Sequence, residues 1–319
     1  MKRYKTRRLS AKEWDALLAR SPQRTRFLDP DFLKLFDVPL RYWGIDRNGV
    51  VIAGMPVIET DIYGGRSLPW CYYQGIIYHE EIWRAAPSKR TQYEIELAEQ
   101  LVEDVAQEEP AFTISLHSSL TDIRGLDWVH FHRPDRPCLK LFPRYTAIVD
   151  LVDASPETLR EACRSARRQE ERYAVEREGL TVAEDGTIQE LVALFQATFV
   201  RQGISLRDET VSALPDFAGY LLKNGCGRLH VVRKDANAVA IALVFDDYDG
   251  TAHVPVVGTG ETRFGGTLLY FHILFSALER GAKAVDLNGA NSPKRAYFKH
   301  SMGAAPQLFF EASWKGEEE

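Results

Sequence analysis

The alternation of hydrophobic and polar positions is clearest in the second half of the chain. Leu180–Glu184 reads as a strand, and Leu191, Leu194 and Phe195 recur at helical spacing within Thr187–Arg201. A second helix is predicted over Arg207–Lys223, ended by the stop signal Asn224-Gly225. Three runs with strand character follow, Arg228–Arg233, Ala238–Phe245 and Thr251–Val257. The turns Lys234–Asn237 and Asp246–Gly250 between them predict an antiparallel meander. A helix over Thr267–Arg280, a strand over Lys283–Leu287, a short helix over Pro293–His300 and a last strand over Gln307–Ala312 complete the order β-α-α-β-β-β-α-β-α-β.

The first half repeats that order more loosely, with no sequence identity to the second. Tyr4–Leu9 is a strand, and Ser10-x-x-Glu13 is a capping box that opens a helix burying Trp14, Leu17 and Leu18. A short helix over Asp31–Phe36 precedes strands at Arg41–Ile45, Val50–Glu59 and Ser67–Tyr78. A long helix over Ser88–Gln107 and strands at Phe112–Leu116 and Trp128–His132 follow. Pro134, Pro137 and Pro143 mark a connector. Beyond it come a strand, Tyr145–Leu151, and one long helix that opens at Ser155-Pro156-Glu157 and runs to about Arg177.

Composition narrows the class. The chain has 319 residues, room for two domains, and its 45% hydrophobic and 27% charged residues are the balance of a globular protein. The formal net charge of −5 gives no global attraction to nucleic acid or an anionic membrane, so DNA is not an expected partner and any polyanion needs a local basic patch. The four cysteines, Cys71, Cys138, Cys163 and Cys226, have no CxxC or metal-finger spacing and read as reduced thiols, which fits a cytoplasmic setting. The basic N-terminus has no apolar core, so a signal peptide is not expected. The longest apolar run, Leu268–Leu278, is too short to cross a bilayer. Nothing in the sequence specifies a subunit count.

Four segments carry a resemblance: RYTAIVDL (144–151), EREGLTV (176–182), FGGTLLYFHILFSALERGAKAVDLNG (264–289) and YFKHSMGA (297–304). With the element order, they resemble the FemAB-type branch of the GNAT acyltransferases, in which two GNAT-like domains share one chain. The resemblance is specific from about Arg144 to Ala304. It implies an α/β (α+β) fold of two tandem GNAT-like domains, each a mixed, mostly antiparallel sheet flanked by helices. The first, acceptor-side domain would span residues 1–143, with the tail 306–319 packing back on it. The second, donor-side domain would span 144–305. The implied activity is transfer of an acyl group to an amine, from an acyl-CoA thioester or from aminoacyl-tRNA, with donor and acceptor in the cleft between or beside the domains. The acceptor would be an amine of a sugar, peptide or cell-wall precursor.

Attack of an amine on an ester or thioester builds charge on the carbonyl oxygen, and a fixed cation or N–H donor there stabilises the transition state by roughly 3–4 kcal/mol. Lys299 is the candidate, with Phe298 beside it to shield the site; the resemblance implies a Phe-Lys pair at this place that holds the acyl oxygen or its phosphate-bearing partner. Tyr297 lies alongside. The plain alternative is a lysine facing solvent. Asn288, Gly289 and Asn291 follow a predicted strand, where ligands gather in α/β sheets. Their plain alternative is a turn with Ser292 as N-cap and Pro293 in the first helical turn.

Arg263, Gly265, Gly266 and Thr267 stand just before a helix, where the resemblance puts a pyrophosphate loop, and N–H groups at a helix start bind anions. Leu268 departs from the small residue of that pattern. In the first half the corresponding place holds His79-Glu80-Glu81, which would repel a pyrophosphate. Arg160, Arg164, Arg168 and Arg172 recur every four residues, with Arg167 beside them, as one basic face for a diphosphate or a tRNA end. The resemblance implies basic residues in this helix near the domain junction, which makes Arg167 and Arg168 the binding candidates, and a solvated face paired with Glu157, Glu161, Glu170 and Glu171 is the alternative. The resemblance implies a Tyr-Gly segment lining an acceptor groove; Tyr72 and Tyr73 would lie on opposite faces of a strand, so only one, Tyr73, can line it, and a plain core strand is the alternative. His130 and His132 share one strand face, but no further ligands lie near, so no metal is expected. Asp286, Glu261, His253 and His300 are the possible bases. With no Ser-His-Asp or Cys-His nucleophile in view, direct attack in a ternary complex is expected. The competing reading is a non-catalytic GNAT-fold module that recognises a nucleotide sugar or a partner protein.

Overall fold

A computed structural model describes residues 4–59, 67–133 and 135–315. Pro134 of the expected connector and residues 316–319 of the expected tail lie outside them. The chain divides into two units, one of residues up to Arg144 together with those from Leu308 onward, the other of Tyr145–Gln307.

In the first unit β1 (Lys5–Leu9), β2 (Leu40–Arg47), β3 (Val50–Ile58) and β4 (Ile77–Tyr78) form an antiparallel sheet in sequence order. Ser10 caps α1 (Ala11–Ala19) through the expected box with Glu13, and Trp14, Leu17 and Leu18 are its buried residues. The short helix α2 (Pro30–Leu33) runs on into a single 3-10 turn, and α3 (Glu80–Trp83) follows β4. The long helix α4 (Pro87–Ala106) buries Leu97, Leu101 and Val105. These join Ile45, Ile52, Phe112 and Trp314 in one core. β5 (Ala111–Ser115) pairs antiparallel with Glu311–Lys315 of the C-terminal strand. The acids at the start of α3 are paired, Glu80 with Arg20 and Arg84 and Glu81 with Arg47.

Of the strands expected in this unit, one is cut to two residues and one is absent. Of Ser67–Tyr78 only the last two residues pair, because Trp70 and Tyr73 have φ of 58° and turn the chain out of the extended region. Tyr72 and Tyr73 therefore do not alternate between faces; their rings lie 6.4 and 5.5 Å from the Phe309 ring. Trp128–His132 is a run of turns after the one-turn helix α5 (Arg124–Asp127), with His130 at φ 59°. The reason is tertiary: a Cβ at Gly125 would lie 2.7 Å from the Ile95 carbonyl oxygen, so this segment is folded hard against α4. His130 and His132 share no strand face, and His130 Nδ1 donates to the Pro137 carbonyl at 2.8 Å.

The second unit begins within β6 (Lys140–Asp150). Two helices follow, α6 (Pro156–Ala162) and α7 (Ser165–Glu176), where the sequence predicts one. Cys163 and Arg164 are extended, with ψ of 150° and 142°, and the Arg164 N–H donates to the Ser301 carbonyl at 2.9 Å instead of continuing the helix. The five arginines therefore do not line one face. Arg160 pairs with Glu171 and Arg172 with Glu176, while Arg168 donates to the carbonyls of Arg160, Glu161 and Cys163 at the end of α6.

After β7 (Thr181–Ala183), α8 (Ile188–Arg201) and α9 (Asp208–Lys223) come β8 (Gly227–Lys234), β9 (Asn237–Asp246) and β10 (Thr251–Thr259), the expected antiparallel meander. Then α10 (Gly265–Glu279), β11 (Ala284–Asp286) and α11 (Pro293–Ser301) lead into β12 (Ala305–Lys315). The strand order from β6 to β7 is β6-β11-β10-β9-β8-β7, with β10 and β11 parallel and the other pairs antiparallel. Nearly every side chain of α10 from Leu268 to Leu274 is buried, against Ala240, Ala242, Val244 and Val254 of the sheet. α8 also packs closely on β10. A Cβ at Gly258 would lie 2.6 Å from the Leu194 backbone, so only glycine permits that approach.

Candidate active site

The site grows from a fork between two parallel strands. β10 and β11 pair over three residues, ending at His253 opposite Asp286. β11 stops there, while β10 runs on to Thr259. Its register with β9 shifts between His253 and Val256, a bulge of the kind that bends a strand away from its neighbour. The carboxyl ends of parallel strands that part in this way are where α/β sheets receive ligands.

Buried polar groups fill the floor of the fork. Asp286 accepts from the Thr146 hydroxyl and, at 2.7 Å, from the Asn288 N–H two residues on. That second bond makes an Asx turn, with Asn288 at φ 53° and Gly289 at φ 36°. His253 sits between Asp247, 3.4 Å from its Nε2, and Asp286, 3.6 Å from its Nδ1. Burial pulls the His253 imidazole down, but the hydrogen-bonded Asp247 and the charge of Asp286 outweigh it and favour the imidazolium. Asn288 Nδ2 lies 3.3 Å from His253 Nδ1, and Asn288 Oδ1 is buried with no hydrogen-bond partner among the described residues.

Lys299 reaches this turn from α11. It is 8% exposed, and its Nζ donates to the carbonyls of Asn288 and, at 3.0 Å, Gly289. The expectation of a solvent-facing lysine is thereby excluded. Burial pulls its ammonium down to about 8, against the attraction of Asp286. An ammonium has three N–H donors, so one remains after the two carbonyls. Phe298 lies about 100° round the helix from Lys299. It packs edge-on against Tyr270 at 5.1 Å and under the Arg167 guanidinium at 4.6 Å, so it belongs to the neighbouring helices and does not cover the ammonium.

A second cluster stands at the start of α10. Arg167 Nε donates to Ser301 Oγ at 2.8 Å, and its NH1 reaches Glu170 and, at 3.3 Å, Thr267 Oγ1. The Thr267 hydroxyl donates to Glu170 at 2.6 Å. Phe264 turns the chain into the helix at φ 65° and supplies no side-chain cap. Neither following glycine is required by packing, since the nearest neighbours of an added Cβ are 3.7 Å away at Gly265 and 3.8 Å away at Gly266. Arg263 is exposed beside the Phe264 ring.

Arg167, Thr267 and Phe298 thus converge, as do Asn288 and Lys299. Others stand apart. Asn291 accepts from the Tyr145 N–H at 2.8 Å and donates to the Tyr145 carbonyl at 3.1 Å, which ties β6 to the loop after β11 and occupies both ends of its amide. Tyr297 is 73% exposed. Tyr73 belongs to the first unit, buried beside Phe27, His117 and Phe309. Of the possible bases, His253 and Asp286 are held in the buried network, His300 Nδ1 donates to the Ala304 carbonyl at 2.8 Å, and Glu261 is exposed. Thr146 and Ser301 escape sequence reasoning, since each lies more than 130 residues from the residue it holds; Asp247, in the turn before β10, carries no signal of its own.

Residues 158–300 match the model of the acetyltransferase (GNAT) domain family. No curated protein matches the chain. Among solved structures, that of FemX aligns with TM-score 0.67 at 14% identity over 96% of both chains. L-PGS from Bacillus licheniformis aligns with TM-score 0.55 at 13% identity over 97% of this chain and 93% of its own. A tandem GNAT protein from the clavulanic acid biosynthesis pathway aligns with TM-score 0.55 at 13% identity over 99% of both. At these identities the likeness is one of fold. The family match places residues 158–300 in the GNAT acyltransferase class. Residues 158–300 therefore carry a GNAT domain, and the fold of the chain is that of FemX and of the tandem GNAT protein.

Proposed function

We propose that the protein is an N-acyltransferase that moves an acyl group from coenzyme A to an amine of a sugar, peptide or cell-wall precursor by direct attack in a ternary complex. The observation that carries this reading is Lys299: a buried ammonium, fixed by two strand-end carbonyls at the fork between β10 and β11, with one N–H unspent. In the step proposed, the amine nitrogen bonds to the thioester carbon, charge develops on the carbonyl oxygen, and the carbon–sulfur bond then breaks. The amine's proton passes, directly or through water, to the departing thiolate, and coenzyme A leaves as the thiol. Lys299 acts on the oxygen, and Asn288, whose side-chain amide meets His253, lines the same turn. The donor's diphosphate is assigned to the uncapped start of α10 at Gly265, Gly266 and Thr267, with Arg263 and Arg167 beside it and Phe298 beneath Arg167. Arg168, Asn291, Tyr297 and Tyr73 are the remaining substrate-binding candidates.

Calorimetric titration with acetyl-CoA tests the donor. Saturable binding is expected in the wild type and not in Gly266→Glu, whose Cβ would meet only the Thr259 side chain, at an ordinary 3.8 Å, so that the fold is kept. The rival donor, aminoacyl-tRNA, is favoured by the exposed arginines Arg164 and Arg172 on α7 and its approach. No response to acetyl-CoA, with tight salt-sensitive capture of charged tRNA, selects it. A non-catalytic module instead predicts that Lys299→Ala leaves the biological activity intact.

A further inference from the structure

We propose that Glu184, His230 and His272 form a divalent-metal site of the zinc class, which fastens α10 to the sheet of the second unit. His230 lies on β8 and His272 on α10, and their Nδ1 atoms face each other at 3.0 Å. Glu184, one residue beyond β7, brings a carboxylate oxygen to 3.7 Å from the same His230 nitrogen. The three ligand atoms all lie within 4.8 Å of one another. Two nitrogens bound to one tetrahedral zinc at 2.0–2.1 Å stand about 3.3 Å apart, so the histidines already have the spacing of donors that share an ion. Rotation of the exposed Glu184 side chain closes the third position, and water supplies a fourth.

The surroundings fit a metal ligand set. The Ser276 hydroxyl donates to Glu184 and Arg280 donates to Ser276, which orients the carboxylate as outer-shell partners do. Arg228 and Arg280 lie 3.8 and 3.7 Å from Glu184 and would repel a cation, but both are also paired with Asp246, so the fixed charges around the site are balanced. A second, independent observation concerns His230. It is wholly buried, and its Nε2 has no hydrogen-bond partner among the described residues. That nitrogen stays orphaned whichever partner Nδ1 takes, so Nδ1 carries the whole compensation for burying the ring, and a simple histidine pair offers there only one N–H···N bond. A bond from Nδ1 to a metal contributes far more. His272 is two turns along α10 from Gly265, on elements that do not include Lys299, so the site is separate from the fork.

The test uses the full chain, with any affinity tag removed, stripped by a chelator and titrated with Zn²⁺ and with Co²⁺. One equivalent is expected to bind. Co²⁺ should give visible d–d absorption, and the melting temperature should rise with metal and fall back with chelator. Glu184→Gln and His272→Gln keep hydrogen-bonding side chains at exposed and half-buried positions, so both should melt like the metal-free wild type and take up no metal. If His272→Gln does not fold, Glu184→Gln decides alone. Failure of the wild type to bind, or one equivalent retained by either folded variant, overturns the proposal and leaves a hydrogen-bonded histidine pair.

Discussion

Lys299 ties two properties of the protein to one proton. Its ammonium is held down to about 8 by burial, against an ordinary lysine value of 10.5. Between those values the unfolded chain carries the proton and the folded protein does not, so the unfolded state binds more protons and stability rises with pH across the window. Below about pH 8 both states are protonated, and the buried charge costs roughly 3 kcal/mol from a shift of this size. Activity should move the other way. An ammonium that stabilises an oxyanion is lost above about pH 8, so the descending limb of the pH–rate profile should lie there. In Lys299→Met we expect kcat to fall roughly 100-fold, with the rise in stability between pH 8 and 10.5 abolished. A variant that keeps full kcat, measured with saturating donor, removes Lys299 from the chemistry. The same side chain also holds the turn at Asn288 and Gly289, so near-native circular dichroism is the control.

At the scale of elements, the break between α6 and α7 has a consequence that the arginine spacing hides. Three carbonyls at the end of α6 accept from Arg168, in the manner of a basic side chain that satisfies a helix C-terminus. Arg168→Ala should lower the unfolding free energy by roughly 1 kcal/mol in a denaturant titration and leave KM for the donor unchanged. A raised KM with unaltered stability would restore the binding role read from the sequence. Arg167, one position earlier, does different work. It spans from Ser301 at the end of α11 to Thr267 in the first turn of α10, so it couples the helix that carries Lys299 to the helix start assigned to the donor. These roles differ because the break at Cys163–Arg164 resets which way each arginine faces, and that break is fixed by the Ser301 carbonyl, more than 130 residues downstream.

For the whole molecule the charge balance matters most. The formal net charge is −5 and no helix among the described residues is long and apolar enough to cross a membrane. Long-range attraction to polyanions is therefore weak, and donor binding should depend on local contacts. With coenzyme A as donor, raising salt from 50 to 200 mM should change affinity by less than about tenfold, because few phosphates are engaged. A loss of a thousandfold or more over that range, measured with charged tRNA, would point to the other donor. Each arm is read by the same titration at two salt concentrations.

Much of the second half was legible from sequence. The meander, the buried helix after it and the Asn-Gly turn are specified by local alternation, stop signals and turn residues, and α1 shows the capping box that Ser10 and Glu13 announce. Local pattern failed where distant contacts set the backbone: in the shortened strand and the missing one, where Trp70, Tyr73 and His130 adopt positive φ beside Phe309 and α4, and in the broken arginine helix. The candidate site was half legible. Lys299 and Asn288 were singled out from the sequence, whereas Thr146 and Ser301 are ordinary until folding brings them to Asp286 and Arg167.

What the sequence determined by itself is the order of elements and the chemical kind of group at the end of β11, because periodicity and turn chemistry act over a few residues. Only the tertiary structure decided that the Lys299 ammonium is buried on two carbonyls, that β10 bends away at its bulge, and that two histidines 42 residues apart meet across β8 and α10. Those features arise from packing between segments distant along the chain, where burial and pairing outweigh local preference.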